Sequence, residues 1–228
     1  MILNIETSSK ICSVALCEGG DVYYSMQSET EMDHSTKLAP YVDKCMEELK
    51  RHDRTLDSVA VSLGPGSYTG LRIGLSLAKG LCFGLNIPLI GINTLKLLAV
   101  VGMFSSDIFA EDTVFIPMID ARRMEVYTAA YDNSLNELMA PQALILDENS
   151  YSEFEGRRIV MIGDGVKKAS EILKVNVSER IERMPLATDM NVLSEQAFRN
   201  KDFIDTAYST PFYLKNFQTT VPKKNIIC

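Results

Sequence analysis

A glycine-rich turn, Gly64-Pro65-Gly66, joins two strongly apolar segments in the first half of this 228-residue chain. Residues 59–63 read Val-Ala-Val-Ser-Leu, the pattern of a buried strand, and the apolar run up to residue 85 predicts a long helix. Glycine permits a positive φ and a close approach of neighbouring backbone, and Pro65 stiffens the turn. The segment therefore predicts a strand, a tight turn and a helix in succession.

Two interpretations of this turn follow from its chemistry. Ser67 or Thr69 can cap the helix, which leaves free backbone amides at its N-terminus, and a phosphate is a ligand suited to such amides. The spacing of the glycines matches neither the P-loop nor the dinucleotide-binding fingerprint. The other interpretation is a tight connection between strand and helix that binds no ligand, and the sequence leaves both open.

The helix predicted over residues 69–85 is apolar almost all round, whereas a surface helix usually shows a single apolar stripe. Gly70, Gly74 and Ala78 lie four residues apart on one ridge, so a neighbouring backbone can approach this ridge closely. Two arrangements fit this pattern. Either the helix lies at the centre of a large core, or another protein chain covers part of its surface.

Composition excludes several functional classes. The chain has 30 acidic and 23 basic residues and a net charge of −7, so it lacks the excess of Lys and Arg that gripping nucleic acid alone requires. Its apolar runs are shorter than the roughly 18 residues that span a bilayer, and no basic stretch precedes an apolar one at its N-terminus. Its five cysteines form no Cys-x-x-Cys pair. We expect a cytoplasmic protein with reduced thiols and no membrane partner.

The order of the predicted elements repeats between the two halves of the chain. In the first half, strands are predicted over residues 2–6, 11–18, 21–28, 59–63 and 88–91, and helices over residues 34–51 and 69–85 and after a cap at Thr94. In the second half, strands are predicted over residues 113–120, 125–132, 138–146 and 158–163, and helices over residues 148–155 and 166–173. Each half therefore follows a ββ-β-α-β-α plan.

Similar residues occupy equivalent places in the two halves. Glu6 and Asp120 each end the first strand, and the glycine pair of residues 64–66 corresponds to the pair in residues 163–165. Two similar α/β halves of this kind are the plan of the actin, Hsp70 and sugar-kinase fold class. We expect two lobes, residues 1–108 and 109–216, and a flexible tail over residues 217–228.

Five segments of the chain resemble the bacterial TsaB family, formerly called YeaZ. These segments are Ile5-Glu6-Thr7-Ser8, Asp33-His34-Ser35, the glycine motif of residues 64–74, residues 119–127 and Pro211-Phe212-Tyr213-Leu214-Lys215-Asn216. The resemblance runs almost from end to end, and the glycine motif is its most specific part. It implies that the chain is a non-catalytic subunit for the threonylcarbamoyl modification of adenosine 37 in tRNA.

The resemblance also implies partners and a binding surface. Proteins of that family pair with a catalytic paralogue, TsaD, and with an ATPase, TsaE; they form a homodimer when alone and meet tRNA only through the complex. The two helices that match residues 34–51 and 69–85 form the pairing surface there. The interface residues predicted on this basis are Leu38, Val42, Cys45, Leu71, Arg72, Gly74, Leu75 and Ala78.

The histidines of the chain argue against a metal enzyme. Relatives once classed as M22 peptidases carry a His-x-x-x-His pair on a helix, where both imidazoles share one face. The two histidines of this chain, His34 and His52, are eighteen residues apart. We therefore expect no metal and no other cofactor, and a metallopeptidase function lacks its ligands.

The loops that hold phosphate in kinases of this fold class are obstructed. The loop Thr7-Ser8-Ser9-Lys10 keeps hydroxyl groups and a lysine but contains no glycine, and two arginines follow Asp120. These four residues either retain a vestigial nucleotide contact or form a simple hairpin turn. An autonomous small-molecule kinase or ATPase is the alternative function, and ATP turnover by the chain alone would identify it.

Overall fold

The computed structural model describes residues 1–28, 33–107 and 110–215. Its first half contains β1 (Ile2–Glu6), β2 (Ser13–Glu18), β3 (Asp21–Gln27), α1 (His34–Arg51), β4 (Ser58–Gly64), α2 (Tyr68–Leu85), β5 (Leu89–Asn93) and α3 (Thr94–Ser105). Its second half contains β6 (Thr113–Asp120), β7 (Glu125–Tyr131), β8 (Glu137–Ile145), β9 (Arg158–Ile162), α4 (Val166–Ser170), β10 (Glu179–Ile181) and α5 (Asn191–Asn200). The first and last residues of each predicted strand lie within two residues of those of an observed strand.

A five-stranded sheet forms the framework of each lobe. Hydrogen bonding orders the first sheet β3-β2-β1-β4-β5 and the second β8-β7-β6-β9-β10. In each sheet the first three strands in this order pair antiparallel. The fourth strand pairs parallel with the third, and the fifth pairs parallel with the fourth. The duplicated plan and the two-lobed actin/Hsp70/sugar-kinase-like α/β fold class are thereby confirmed.

In each lobe the carboxylate that ends the first strand accepts a hydrogen bond from the amide two residues later. The Ser8 backbone amide donates a hydrogen bond to Glu6 Oε1 at 2.5 Å, and the Arg122 amide donates to Asp120 Oδ1 at 2.6 Å. A carboxylate that accepts from the amide two residues later stabilises a turn through its side chain. The equivalence predicted between these two segments is confirmed.

Helix α3 lies between the two sheets and explains how the lobes are held together. Leu97 packs in a cluster with Ile90 of the first sheet, whereas Leu95 packs with Phe115 and Tyr131 of the second. Apolar residues on both sides of one helix leave no polar face, so eight of its residues, all before Met103, are buried.

One helix predicted in the second lobe is absent from the described residues. The segment 148–155 contains a 3-10 turn over Ser152–Phe154 in place of the expected helix. The preceding residue, Tyr151, has a left-handed backbone with φ of +67°, and its buried hydroxyl donates to Thr128 Oγ1 at 3.1 Å. Anchoring of this ring in the core therefore breaks the helical path.

Two helix boundaries also differ from the predictions. Asn93, and not Thr94, caps α3, because Asn93 Oδ1 accepts hydrogen bonds from the Leu95 amide at 2.9 Å and from the Lys96 amide at 3.1 Å. Helix α4 ends at Ser170, three residues before the predicted end. The sequence pattern predicts neither β10 nor α5.

The chain after α5 returns to the first lobe. The Phe212 amide donates to the Leu63 carbonyl oxygen at 2.7 Å, and Lys215 forms an ion pair with Glu125 of the second lobe. Helix α5 itself packs against β1 and β5 of the first sheet. The predicted boundary between residues 108 and 109 and the predicted tail over residues 217–228 lie outside the described residues.

Candidate functional site

The glycine turn connects β4 to α2, and lack of space requires its glycines. Gly64 has a φ of +110°, and a Cβ on it would lie 2.8 Å from the Phe212 carbonyl oxygen. A Cβ on Gly66 would lie 2.5 Å from the Ser8 carbonyl oxygen. Pro65 between them is buried. A larger residue at either glycine would therefore displace neighbouring backbone.

The first turn of α2 packs against the turn that follows β1. The Ser67 amide donates to the Ser8 carbonyl oxygen at 2.7 Å. The Ser67 hydroxyl accepts from the Gly70 amide at 3.2 Å, so Ser67, and not Thr69, caps the helix. A Cβ on Gly70 would lie well within 3.0 Å of the Thr7 carbonyl oxygen. Two amides of this turn are thus bonded and the space beside Gly66 and Gly70 is filled, which favours the tight connection over a phosphate site.

The turn that follows β1 also packs against the ridge of small residues on α2. A Cβ on Gly74 would lie well within 3.0 Å of Thr7 Oγ1, whereas nothing lies within 4 Å of the corresponding positions of Gly80 and Gly84. The side chain of Thr7 is wholly buried. The close approach that the ridge predicts is confirmed, but the approaching segment belongs to the same lobe.

Most of the predicted interface residues lie in the core of the first lobe. Helices α1 and α2 pack side by side against the first sheet, and their periodic apolar residues face that sheet. Seven of the eight are buried, namely Leu38, Val42, Cys45, Leu71, Gly74, Leu75 and Ala78. Apolar periodicity thus marks the face that contacts the sheet, and a role of these seven residues in a partner interface stays a prediction. Arg72 is exposed.

The side of α2 that points away from the sheet is open to solvent. Its exposed residues, which we call the α2 outer face, are Arg72, Ser76, Gly80, Phe83 and Gly84. The Phe83 ring is 86% exposed, and Leu85 at the end of the helix is 44% exposed. An exposed aromatic ring among small residues is suited to contact with another protein.

Arg72 connects the α2 outer face to the C-terminal segment. Its guanidinium carbon lies 4.0 Å from the centre of the Tyr68 ring, and its Nε donates to the Tyr213 hydroxyl at 3.0 Å. This hydrogen bond raises the pKa of the Arg72 guanidinium. The sequence singles out the motif that contains Tyr213. It does not show that Tyr213 contacts Arg72, which lies 141 residues earlier in the chain.

Glu6 is a wholly buried carboxyl group at the end of β1. Its Oε1 accepts from the Ser8 amide and from the Ser62 hydroxyl at 3.2 Å, whereas its Oε2 has no hydrogen-bond partner among the described residues. Burial raises the pKa of Glu6 to about 7, although these hydrogen bonds act in the opposite direction. Sequence reasoning places Glu6 at the strand end without showing that its side chain is enclosed.

The loop that follows Glu6 lies beside a small cavity between the lobes. Thr7 and Ser8 are buried, Ser9 is half-buried and Lys10 is exposed. A cavity of about 10 Å³ lies between the lobes, lined in part by Ser8, Ser9 and Asp164. That volume holds about one water molecule. A nucleotide contact of the four loop residues stays a prediction.

Of the remaining candidate groups, Asp120 already has a hydrogen-bond partner, and the two histidines lie at opposite ends of one helix. Asp120 Oδ1 accepts from Lys168 Nζ at 2.7 Å. His34 is buried at the start of α1, where burial lowers its pKa, and His52 lies just beyond the other end of the same helix. Across residues 1–28, 33–107 and 110–215, no three His, Cys, Asp or Glu side chains are grouped so as to hold a metal ion.

Two predictions from composition concern the same described part of the chain. Cys12, Cys17, Cys45 and Cys82 are buried and form no disulfide, as expected, and burial raises the pKa of the Cys45 thiol to about 12. Within the described ranges, no helix has the length and apolar character needed to cross a membrane.

The two equivalent five-stranded sheets define a two-lobed protein of the actin/Hsp70/sugar-kinase fold class. A family model described as "TsaD: tRNA N6-adenosine threonylcarbamoyltransferase" matches residues 26–221. Because this match covers more than half of the chain, the chain belongs to that family. A transferase of the same name from Salinibacter ruber is 31% identical over 111 residues, which cover 42% of this chain and 33% of that protein.

Proteins named "tRNA threonylcarbamoyladenosine biosynthesis protein TsaB" match more of the chain. The one from Escherichia coli is 28% identical over 223 residues, 94% of each protein. The one from Bacillus subtilis is 33% identical over 147 residues, 64% of this chain and 62% of that protein. The solved structure of YeaZ from Pseudomonas aeruginosa is 26% identical, with a TM-score of 0.78 over 93% of this chain and 99% of that one. The resemblance to TsaB (YeaZ) is thereby confirmed.

Proposed function

We propose that this chain takes part in the synthesis of tRNA threonylcarbamoyladenosine as a non-catalytic subunit that binds and activates a TsaD-like catalytic paralogue. Two relatives that match 94% of the chain carry the name of that biosynthesis. The family model that matches it is that of the transferase itself. The chain is therefore related both to proteins of the pathway and to the enzyme proposed as its partner.

The packing of Thr7 and Ser8 against α2 carries the non-catalytic part of the proposal. This contact fills the place where a phosphate would meet the amides at the start of α2, and the neighbouring cavity of about 10 Å³ holds about one water. In the second lobe, Lys168 Nζ donates a hydrogen bond to the carboxylate of Asp120. A phosphotransferase of this fold class needs both loops open to its nucleotide, so closed loops favour a supporting role.

The partner surface that we propose is the α2 outer face, with α1 beside it. Removing the Phe83 ring from water contributes about 1.5–3 kcal/mol to association. The same face serves a homodimer when the chain is alone, so a homodimer and the catalytic paralogue compete for it. A TsaE-like ATPase joins this cytoplasmic complex, and the net charge of −7 means that tRNA is held by the other subunits.

Reconstitution tests the proposal. The purified full chain is combined with the TsaD-like paralogue and the TsaE-like ATPase of the same organism, unmodified tRNA, ATP and the threonylcarbamoyl donor. We expect modified tRNA when all proteins are present, and none when this chain is left out or supplied alone. Modification at an unchanged rate without the chain would overturn the proposal, and ATP turnover by the chain alone would support the kinase alternative.

A matched pair of variants tests the surface. Phe83→Glu places a charge on the α2 outer face, and Ile145→Glu places the same charge on an exposed apolar residue of β8, which is 69% exposed. We expect Phe83→Glu to weaken binding of the paralogue at least about tenfold, because a charge is buried without a partner, and Ile145→Glu to leave it unchanged. Equal affinity of both variants would place the interface elsewhere.

A further inference from the structure

The turn between β6 and β7 carries two adjacent arginines, Arg122 and Arg123, whose side chains are exposed. We call these two residues the arginine turn. Their φ angles of +70° and +51° place both in the left-handed region, which glycine and asparagine adopt at far lower cost than arginine. Across residues 1–28, 33–107 and 110–215, no other two successive residues with side chains share this conformation. The backbone of the turn therefore does not explain why arginine occupies it.

Each acidic residue that flanks the arginine turn is already paired with a lysine. Asp120 at the end of β6 accepts a hydrogen bond from Lys168 Nζ at 2.7 Å. Glu125 at the start of β7 forms an ion pair with Lys215. Neither arginine forms an ion pair or a side-chain hydrogen bond with any residue in the part of the chain that the structure describes. The positive charges of the two guanidiniums are therefore not balanced by their neighbours.

Two further carboxyl groups lie near the turn and also have partners. Asp164 Oδ1 accepts a hydrogen bond from the Asp120 amide at 2.8 Å. The Leu146 amide donates to the Met124 carbonyl oxygen, which brings Asp147 beside the turn. Asp147 Oδ1 accepts hydrogen bonds within its own loop. The arginine turn is therefore a local positive patch on a chain whose net charge is −7.

The arginine turn lies close to the proposed partner surface. Arg72 of the α2 outer face donates a hydrogen bond to Tyr213. Lys215, two residues later, pairs with Glu125 beside the turn. Two residues of extended chain span at most about 7 Å. A partner bound to the α2 outer face would therefore lie near the turn, and so would a ligand that this partner holds.

A phosphodiester backbone is the ligand that suits this patch. The guanidinium group of arginine matches two phosphate oxygens, and such contacts supply sequence-independent affinity for nucleic acids. A chain with a net charge of −7 repels a polyanion elsewhere, so unbalanced cations at one turn restrict the contact to that turn. The nucleic acid of the proposed function is tRNA.

We propose that Arg122 and Arg123 contact phosphate groups of tRNA when this chain is bound to the TsaD-like paralogue. The inference rests on the function proposed above and adds to it a direct contact between this chain and the RNA. The other subunits supply most of the affinity, because this chain as a whole is acidic. The two arginines add backbone contacts that carry no sequence information.

Binding of unmodified tRNA to the assembled complex, measured over a range of salt concentrations, tests this contact. Each phosphate contact steepens the fall of log K with log salt by about 0.7–0.9. We therefore expect Arg122→Gln with Arg123→Gln to make the slope shallower by about 1.4–1.8 and to weaken binding at least about tenfold at about 0.1 M salt. Arg122→Lys with Arg123→Lys keeps both charges and should keep the slope.

Arg180→Gln with Lys201→Gln is the matched control, because it removes the same charge from exposed residues of β10 and of the chain after α5. We expect this control to keep the wild-type slope. Equal slopes in the control and in Arg122→Gln with Arg123→Gln would overturn the proposal. Weaker binding of the TsaE-like ATPase in place of tRNA would overturn it as well, because the turn would then contact a protein.

Binding of the paralogue without RNA separates this proposal from the proposed function. We expect Arg122→Gln with Arg123→Gln to bind the paralogue with wild-type affinity, because neither arginine belongs to the α2 outer face. If that variant also keeps the wild-type salt slope, the RNA contact is wrong and the proposed function stands. A wild-type chain that does not bind the paralogue would overturn both.

Discussion

Gly74 of α2 and Thr7 of the turn after β1 touch so closely that no side chain fits between them. A Cβ on Gly74 would lie well within 3.0 Å of the Thr7 hydroxyl oxygen, and Thr7 itself is wholly buried. This contact fixes the position of the helix that carries the proposed partner surface.

Substitution of Gly74 by Ala is expected to destabilise the fold. The new methyl group overlaps the Thr7 side chain, and such overpacking costs about 1–3 kcal/mol of unfolding free energy. Chemical denaturation measures the loss. In the double variant with Thr7→Ala we expect part of the loss to be recovered, because the overlapping hydroxyl is gone.

Gly80→Ala is the matched control for that experiment. Gly80 lies on the same helix with nothing within 4 Å of the added carbon. There we expect a gain of about 0.5–1 kcal/mol from helix propensity alone. Equal effects at Gly74 and Gly80 would show that the contact with Thr7 does not constrain α2.

A charge placed in the core and one placed on the α2 outer face should have different effects. Leu75 is 4% exposed and Phe83 is 86% exposed. We expect Leu75→Arg to lower stability by about 3–5 kcal/mol, since the charge is buried without a partner, and to abolish partner binding by unfolding the chain. We expect Phe83→Arg to keep the melting temperature and to lose affinity for the paralogue. Melting curves recorded beside binding isotherms separate the two, and a folded Leu75→Arg variant would contradict the assigned burial.

Most of the strands are predictable from sequence, because strands buried on both faces are continuous apolar runs. Residues 113–120 illustrate this, since six of the eight are buried and the predicted and observed bounds agree. Helix α5 is not predictable in the same way. Two of its three buried residues, Asn191 and Ser194, are polar, so the apolar period that marks a helix is missing.

The candidate site is less predictable than the fold. Periodicity finds Leu38 and Val42 of α1 as members of one helical face, but it cannot tell whether that face meets a sheet or another chain. The contact of Arg72 with Tyr213 joins segments that only the folded chain brings together. Exposed residues such as Phe83 follow no pattern, so the partner surface emerges only after the core has been identified.

The buried carboxyl of Glu6 is expected to make stability depend on pH. Burial raises its pKa from 4.5 to about 7 in the folded chain, and the charge of Asp189 acts in the same direction. Between these values the folded state holds a proton that the unfolded state has released. The stabilisation is therefore fully present below pH 4.5 and is lost as the pH rises through about 7. At about 1.4 kcal/mol for each pKa unit, the loss is on the order of 3 kcal/mol.

Glu6→Gln isolates this effect, because glutamine has the same shape and does not titrate. Denaturation curves recorded across this pH range should lose the slope assigned to Glu6. The exposed Glu47 on α1 gives the control, and Glu47→Gln should keep the wild-type slope. An unchanged slope in Glu6→Gln would mean that another group titrates.

Arg72 is expected to hold the C-terminal segment against α2. Its guanidinium contacts the Tyr68 ring and donates to the Tyr213 hydroxyl, so Arg72→Ala removes both contacts. We expect faster hydrogen exchange over residues 205–215 in Arg72→Ala and a smaller change in Tyr213→Phe, which keeps the ring stacked. Arg72→Lys should be intermediate, since lysine keeps the charge but lacks the planar group. Thr69→Ala, an exposed change on the same turn of α2, serves as the control, and equal exchange in it and in Arg72→Ala would show that the segment is held by its backbone alone.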